Sequence, residues 1–99
     1  MSKAPITKRT VDAAQAGPLE YVIWDDRGKE TVKGFGLKVT PAGAKVYIYR
    51  YRIARPGSAD RTPPRKYTIG RHGNLTPDQA RSRAKELAAA VARGIDPRQ

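Results

Sequence analysis

The sequence contains no cysteine among its 99 residues. Disulfides and thiolate metal sites are therefore excluded, and the composition is compatible with a reducing compartment. No apolar run approaches the roughly 20 residues that a membrane-spanning helix needs. The first ten residues, MSKAPITKRT, are charged but lack the apolar segment of a secretory signal. We expect a soluble intracellular protein.

Large aliphatic residues are also scarce. Leu, Ile, Val and Phe together number 17, a share that in a highly charged chain is typical of disorder. Five Tyr, one Trp and clearly periodic segments argue against disorder. The length suits one small domain with a modest core. We predict a flexible N-terminus at residues 1–8, a folded domain at 9–94 and the start of a linker at 95–99.

Acidic residues are few relative to basic ones. Twenty Lys and Arg stand against nine Asp and Glu, which gives a formal net charge of +11 and a pI of about 10.5. Such an excess indicates a polyanionic partner. Nucleic acid is the first candidate and an anionic membrane surface the second.

The apolar pattern predicts an α+β fold. Strands are expected where apolar and polar residues alternate, in LEYVIWDD, GFGLKVT, residues 44–54 and RKYTIG. A hairpin turn at PAG joins two of them, TVDAA suits a single N-terminal helical turn, and RPGSADRTPP is a loop. We predict a three- to four-stranded antiparallel meander packed on one C-terminal α-helix.

The C-terminal helix has the clearest start and stop signals. Thr76 as N-cap, Pro77 at the first position and Gln79 at the third form a capping box. Gly94 supplies the stop. One side of the helix carries an apolar stripe suited to close packing on a sheet, made of Ala80, Ala84, Leu87, Ala88 and Val91.

The segment KVYIYRYRI, residues 45–53, predicts a basic face on this sheet. If its three tyrosines point toward the helix, then Arg50 and Arg52 point away from it, together with Val46 and Ile48. The same alternation adds Lys38 and Lys66. Arginine can bond two acceptors of guanine and lysine can neutralise phosphate. Alternatively, these cations only keep an open sheet face soluble and block edge pairing.

Other side chains give weaker signals. The tyrosines can either stack on unpaired bases or fill the core with their hydroxyls at the rim, and the core is favoured for them and for Trp24. His72 is the only histidine and lacks partners for a metal site. Asp25 and Asp26 are interpreted as turn formers. No nucleophile motif or phosphate loop is present, so no catalytic residue, metal or cofactor is expected.

The order and spacing of several motifs resemble a known family. WDD, then GFGLKVTPAGAKVYIYRYR, then YTIGRHGNLTPDQARSRAKELAAAVARGIDP is similar to the N-terminal arm-type DNA-binding domain of tyrosine recombinases, in the group of prophage and genomic-island integrases. The resemblance covers roughly residues 7 to 97. The long Pro-rich loop at residues 55–64 departs from the pattern, because many relatives turn more tightly there.

The resemblance implies a sequence-specific role in DNA integration and recombination. The domain is expected to bind arm-type sites in duplex DNA, without cutting them and without contact with a membrane. Lys38, Arg50, Arg52 and Lys66 would face the groove, and Lys45, Arg65 and Arg71 would contact phosphates. Catalysis would belong to a domain beyond Pro97. The parent integrase is expected to be a cytoplasmic multimer, associated with the nucleoid when bound, and the isolated domain a monomer.

Two rival functions remain open on the sequence alone. A small basic RNA-binding module would place the tyrosines on the open face, where they could stack on bases. A protein-interaction module would use the sheet to recruit a recombination partner or another protomer, and its DNA affinity would be near background.

Overall fold

The computed structural model describes residues 2–26, 32–52 and 65–95. The predicted loop at 55–64 and the last four residues lie outside these ranges. The order of elements in the described parts is β1 (Ser2–Ala4), α1 (Lys8–Ala13), β2 (Tyr21–Asp25), β3 (Phe35–Val39), β4 (Lys45–Tyr51), β5 (Arg65–Arg71) and α2 (Pro77–Ala92). Strands β2 to β5 form the predicted antiparallel meander, and the α+β class is confirmed.

The sheet has one more strand than the sequence indicated. Strand β1 adds to the edge of β2 in parallel, with Ser2 opposite Ile23 and Ala4 opposite Asp25. Residues 1–8 were predicted to be flexible, yet they include β1 and Ile6, which is fully buried. The packed unit therefore begins before residue 9. A three-residue strand is too short to show a period-two pattern, so alternation does not reveal it.

Both helices lie on one face of the sheet, here called the helix face. The register aligns Leu37 with Tyr47 and Phe35 with Tyr49, so that these side chains point to the same side. They form one core with Val11 of α1 and with residues of α2. The fully buried members with the largest side chains are Tyr47, Phe35, Ile6, Leu37, Val11 and Val39.

Helix α2 begins and ends as its sequence predicts. Thr76 Oγ1 accepts a hydrogen bond from Gln79 N at 3.2 Å, and Gln79 Oε1 accepts one from Thr76 N at 3.0 Å, which completes the capping box. Gly94 has φ of +79° just after the helix, in the left-handed region that glycine favours. The apolar stripe faces the sheet: Ala80, Ala84 and Leu87 are buried, and Ala88 and Val91 pack against the core.

Candidate nucleic-acid interface

The opposite side of the sheet, here called the open face, carries no helix in the parts of the chain that the structure describes. Its members follow from the strand register and are Val22, Trp24, Gly36, Lys38, Val46, Ile48, Arg50, Lys66, Thr68 and Arg71. Arg52 continues the alternation just beyond β4 and is exposed. The predicted division of β4, with tyrosines toward the helix and Arg50 away from it, matches the structure.

The cations of the open face lie in two rows across the strands. Lys38 and Arg71 flank Val46 on its two sides, and Arg50 lies opposite Lys66. The rows are four residues apart along β4, roughly 13 Å at the usual rise of a strand. Between them lies an uncharged row made of Gly36, Ile48 and Thr68. The open face therefore has one cationic row on each side of an uncharged central row.

The backbone fixes Arg50 in this arrangement. Gly34 immediately precedes β3, and its carbonyl oxygen accepts a hydrogen bond from Arg50 N of β4 at 2.8 Å. Gly34 has φ of +92°, and a Cβ added to it would lie 2.3 Å from the carbonyl oxygen of Arg50. Only glycine allows this close contact. The backbone of β4 at Arg50 is therefore held close to the backbone of Gly34.

Cations on the two sides of the sheet differ in their partners. On the helix side, Arg81 lies 3.1 Å from Asp25 and Arg83 lies 2.8 Å from Glu86. On the open face, Lys38 has only a distant contact with Glu20, at 4.0 Å. No carboxylate within the described ranges lies within 4.0 Å of the remaining cations of this face, which are Arg50, Arg52, Lys66 and Arg71. Unneutralised charge of one sign attracts a polyanion.

The centre of the open face is filled by an aromatic side chain. Trp24, predicted to lie in the core, is half-buried and lies over Gly36, where an added Cβ would come within 2.9 Å of Trp24 Cε3. The missing side chain of Gly36 makes room for the indole ring, a pairing known to stabilise glycines in sheets. Gly36 is also the partner of Ile48, which is only 2% exposed. The two apolar residues of β4 on this face, Val46 and Ile48, are 9% and 2% exposed although they face away from the helices.

Two of the seven predicted contact residues lie on the other face. Lys45 is opposite Val39 in the register, and its Nζ donates to the carbonyl oxygen of Val11 at 2.6 Å. Arg65 is opposite Tyr51 and is half-buried. Each stands an even number of residues from a tyrosine or valine of the helix face, so the pleat directs both toward the helices. The structure brings together the other five: Lys38, Arg50, Arg52, Lys66 and Arg71.

Asp25 has a structural role that the sequence did not reveal. It was interpreted as a turn former, but its side chain is fully buried and accepts hydrogen bonds from Ile6 N and Val32 N, each at 2.9 Å. Arg81 completes the cluster, with Nε 3.3 Å from Asp25 Oδ2 and Nη2 2.7 Å from Ile6 O. Its guanidinium also lies 5.8 Å from the ring centroid of Phe35. The pair joins the segment that follows β1 to β2 and α2.

A second polar chain links α1 to the sheet. Tyr47 Oη lies 2.8 Å from His72 Nδ1, and His72 Nε2 lies 3.7 Å from Asp12 Oδ1. Burial, with a smaller contribution from the Asp12 charge, raises the pKa of Tyr47 to about 12. Its hydroxyl is therefore protonated at neutral pH and serves as a structural hydrogen-bonding group. His72, which directly follows β5, is the hydrogen-bond partner of this buried tyrosine.

Two other kinds of feature are absent from the described ranges. Neither helix in those ranges has the length and apolar character of a membrane-spanning segment. No group of three or more His, Cys, Asp and Glu side chains there is arranged to hold a metal ion.

Comparison with known proteins agrees with this geometry. A family profile described as an Arm DNA-binding domain matches residues 6–99, nearly the whole chain. The chain belongs to that family. The arm domain is also 32% identical over 97 residues to the prophage integrase IntZ of Escherichia coli (strain K12). The match covers 98% of this chain and 21% of that relative, so the arm domain spans about a fifth of the relative's length. The resemblance to the arm-type domain of integrases is thereby confirmed.

Proposed function

We propose that the arm domain binds arm-type sites in duplex DNA through its open face, as the N-terminal module of a site-specific integrase. The observation that carries this proposal is the set of five cations on one side of the sheet, Lys38, Arg50, Arg52, Lys66 and Arg71. Four of them have no carboxylate within 4.0 Å in the described ranges. Both helices pack on the opposite side; Arg50, Arg52, Lys66 and Arg71 are exposed and Lys38 is half-buried.

The width of the sheet favours insertion of β3 to β5 into the major groove. Three strands spaced about 4.8 Å apart span roughly 10 Å between their outer axes, and the groove is about 12 Å wide. All five strands would span roughly 19 Å and would not fit. The basic residues of the open face lie on β3, β4 and β5 or directly after β4. Arg50 and Arg52 are assigned to guanine, and Lys38, Lys66 and Arg71 to phosphates.

The positions of the tyrosines favour duplex DNA over single-stranded RNA. Tyr47, Tyr49 and Tyr51 are 0%, 5% and 4% exposed. An aromatic ring must be accessible to stack on an unpaired base. Double-stranded RNA is also a poor fit, because its deep and narrow major groove does not admit protein side chains.

Membership of the family supports a wider role for the parent protein. The parent integrase would bridge arm sites and crossover sites during integration and excision, as a cytoplasmic multimer, while catalysis resides outside this domain. The isolated domain is a non-catalytic monomer that needs no cofactor. Its affinity for a single site is expected to be modest, because linked domains in a multimer raise the effective concentration.

The proposal is tested by equilibrium binding at about 50 and about 200 mM salt. Fluorescence anisotropy would compare a duplex from the attachment region of the parent element, a duplex of shuffled sequence and a single-stranded RNA. We expect the attachment duplex to bind most tightly, with a salt slope of about −0.9 for each phosphate contacted. Equal affinity for both duplexes would show that the domain binds duplex DNA through its charge, without recognising a sequence. Tighter binding of RNA would favour the RNA-binding alternative, and near-background affinity for all three would favour a protein-interaction module.

A further inference from the structure

We propose that Lys3 and Trp24 form a second DNA contact, here called the flank, which lies on the sugar–phosphate backbone beside the groove. The inference rests on the proposed function of the open face. It assigns a binding role to β1, whose residues lie in the segment predicted from sequence to be flexible.

The strand register places Lys3 on the open face. Lys3 is opposite Trp24, whereas its neighbours Ser2 and Ala4 are opposite Ile23 and Asp25 of the helix face. Ala4 packs against the core, so the side chain of Lys3 points the other way. Lys3 is exposed, and no carboxylate in the described ranges lies within 4.0 Å of it. It is available to bind a phosphate.

Hydrogen bonds to Ala4 and Ile6 hold the strand that carries Lys3 in place. Asp26 N donates to Ala4 O at 3.2 Å, and the buried Asp25 accepts from Ile6 N at 2.9 Å. Arg81 of α2 adds a hydrogen bond of 2.7 Å to Ile6 O. Lys3 is therefore presented on a strand that is already ordered, and binding avoids the entropic cost of fixing a flexible arm.

Distance places the flank outside the groove. Strand β1 is three strands away from β4, roughly 14 Å, whereas half of the major groove is about 6 Å wide. With β4 centred in the groove, β1 lies beyond its edge and over the phosphates. Trp24 on β2 lies between them, half-buried on Gly36. Its indole ring offers an apolar surface to deoxyribose, and Lys3 offers charge to phosphate. Neither contact reads a base.

The charge of Lys3 is tested by Lys3→Gln against Lys8→Gln. Lys8 is also exposed but belongs to α1, which packs on the helix face. We expect Lys3→Gln to lower the salt slope by about 0.9 and to weaken binding roughly eightfold at about 0.1 M salt. The loss should be the same for attachment and shuffled duplexes and should fade toward high salt. Lys8→Gln should leave affinity near the wild-type value. Urea unfolding of both variants should match wild type, since both side chains are exposed.

Trp24 supplies an independent readout that needs no substitution in the flank. It is the only tryptophan in the chain, so tryptophan fluorescence reports on this one position. We expect saturating duplex to reduce the quenching of Trp24 emission by acrylamide, a neutral quencher that must reach the ring. Arg50→Ala, tested in parallel, reports on the open face itself.

The outcomes separate the flank from the groove contact. If Lys3→Gln binds like Lys8→Gln and duplex leaves acrylamide quenching unchanged, while Arg50→Ala weakens binding, the flank is overturned and the proposed function stands. If Arg50→Ala also binds like wild type, the proposed function fails as well. A selective loss in Lys3→Gln together with protection of Trp24 supports the flank.

Discussion

The two faces of the sheet are built from alternate residues of the same strands, yet they differ in how their polar groups are satisfied. On the helix face, Tyr47 bonds His72 and the buried Asp25 is neutralised by Arg81. Within the described ranges, no buried side-chain nitrogen or oxygen lacks a partner. On the open face, Arg50 and Lys66 stand opposite each other with no carboxylate nearby in those ranges. The polar groups of the helix face are therefore satisfied within the protein, whereas the cations of the open face can pair with a ligand.

Alternation along each strand lets one small sheet have a packed face and a charged face. The period of two in a strand lets β4 place Tyr49 in the core and Arg50 on the surface. Substitutions on the helix face should change the free energy of unfolding, and those on the open face should change DNA affinity.

The largest expected effect is on the helix face, at Asp25. Asp25→Ala would leave Arg81, whose side chain is only 12% exposed, without its buried partner. Removing one member of a buried ion pair typically costs about 3–5 kcal/mol. Urea unfolding should show this loss. Asp78→Ala is the matched control, because Asp78 also contacts Arg81, at 3.5 Å, but its side chain is 96% exposed. A loss of similar size in both variants would contradict the role assigned to Asp25.

On the open face, Arg50→Ala should weaken DNA binding by about 1–3 kcal/mol if Arg50 reads a base. Sequence preference should relax at one position of the site. The free energy of unfolding should change little, because Arg50 is exposed. Anisotropy titrations and urea unfolding would measure the two quantities. Arg9→Ala, an exposed arginine of α1, serves as the control and should leave binding unchanged.

Lys66→Ala should have a smaller effect of a different kind. As a phosphate contact, it should weaken binding to all duplexes alike and lower the salt slope by about 1. Titrations of two unrelated duplexes across a salt series would measure the slope. A loss confined to one sequence would instead assign Lys66 to base recognition.

The smallest effect concerns the hydroxyl of Tyr47 and depends on pH. Tyr47→Phe removes one hydrogen bond and should cost about 1 kcal/mol of unfolding free energy at neutral pH. The pKa of Tyr47 is raised from its ordinary value of 10.0 to about 12 in the folded state. Between pH 10 and pH 12 the unfolded chain releases this proton while the folded chain retains it, so stability falls as pH rises.

The phenylalanine variant should lose less stability over that interval than wild type. Unfolding by urea at pH 9 and pH 11 would provide the comparison, with readings taken as differences between the two proteins. Equal losses in both proteins would show that the Tyr47 hydroxyl does not contribute to the alkaline decrease.

The sequence predicted the features that depend on local pattern. Alternation placed Tyr47 and Arg50 on opposite faces, and the capping residues placed the start of α2 at Pro77. It missed β1 and the contacts beside it, because Asp25 lies 19 residues from its partner Ile6 and 56 from its partner Arg81. It also placed Trp24 in the core, since the space for its ring comes from Gly36 on a neighbouring strand. Contacts between distant residues leave no period in the sequence.

The most direct test of the central claim is an NMR titration of the isotope-labelled domain with attachment-region DNA and with a random duplex, at two salt concentrations. The two-face account predicts shifts centred on Lys38, Arg50, Lys66 and Arg71, larger for attachment DNA, with the side-chain resonance of Arg81 unchanged. Shifts centred on α2, or diffuse shifts that vanish equally with salt for both duplexes, would contradict it.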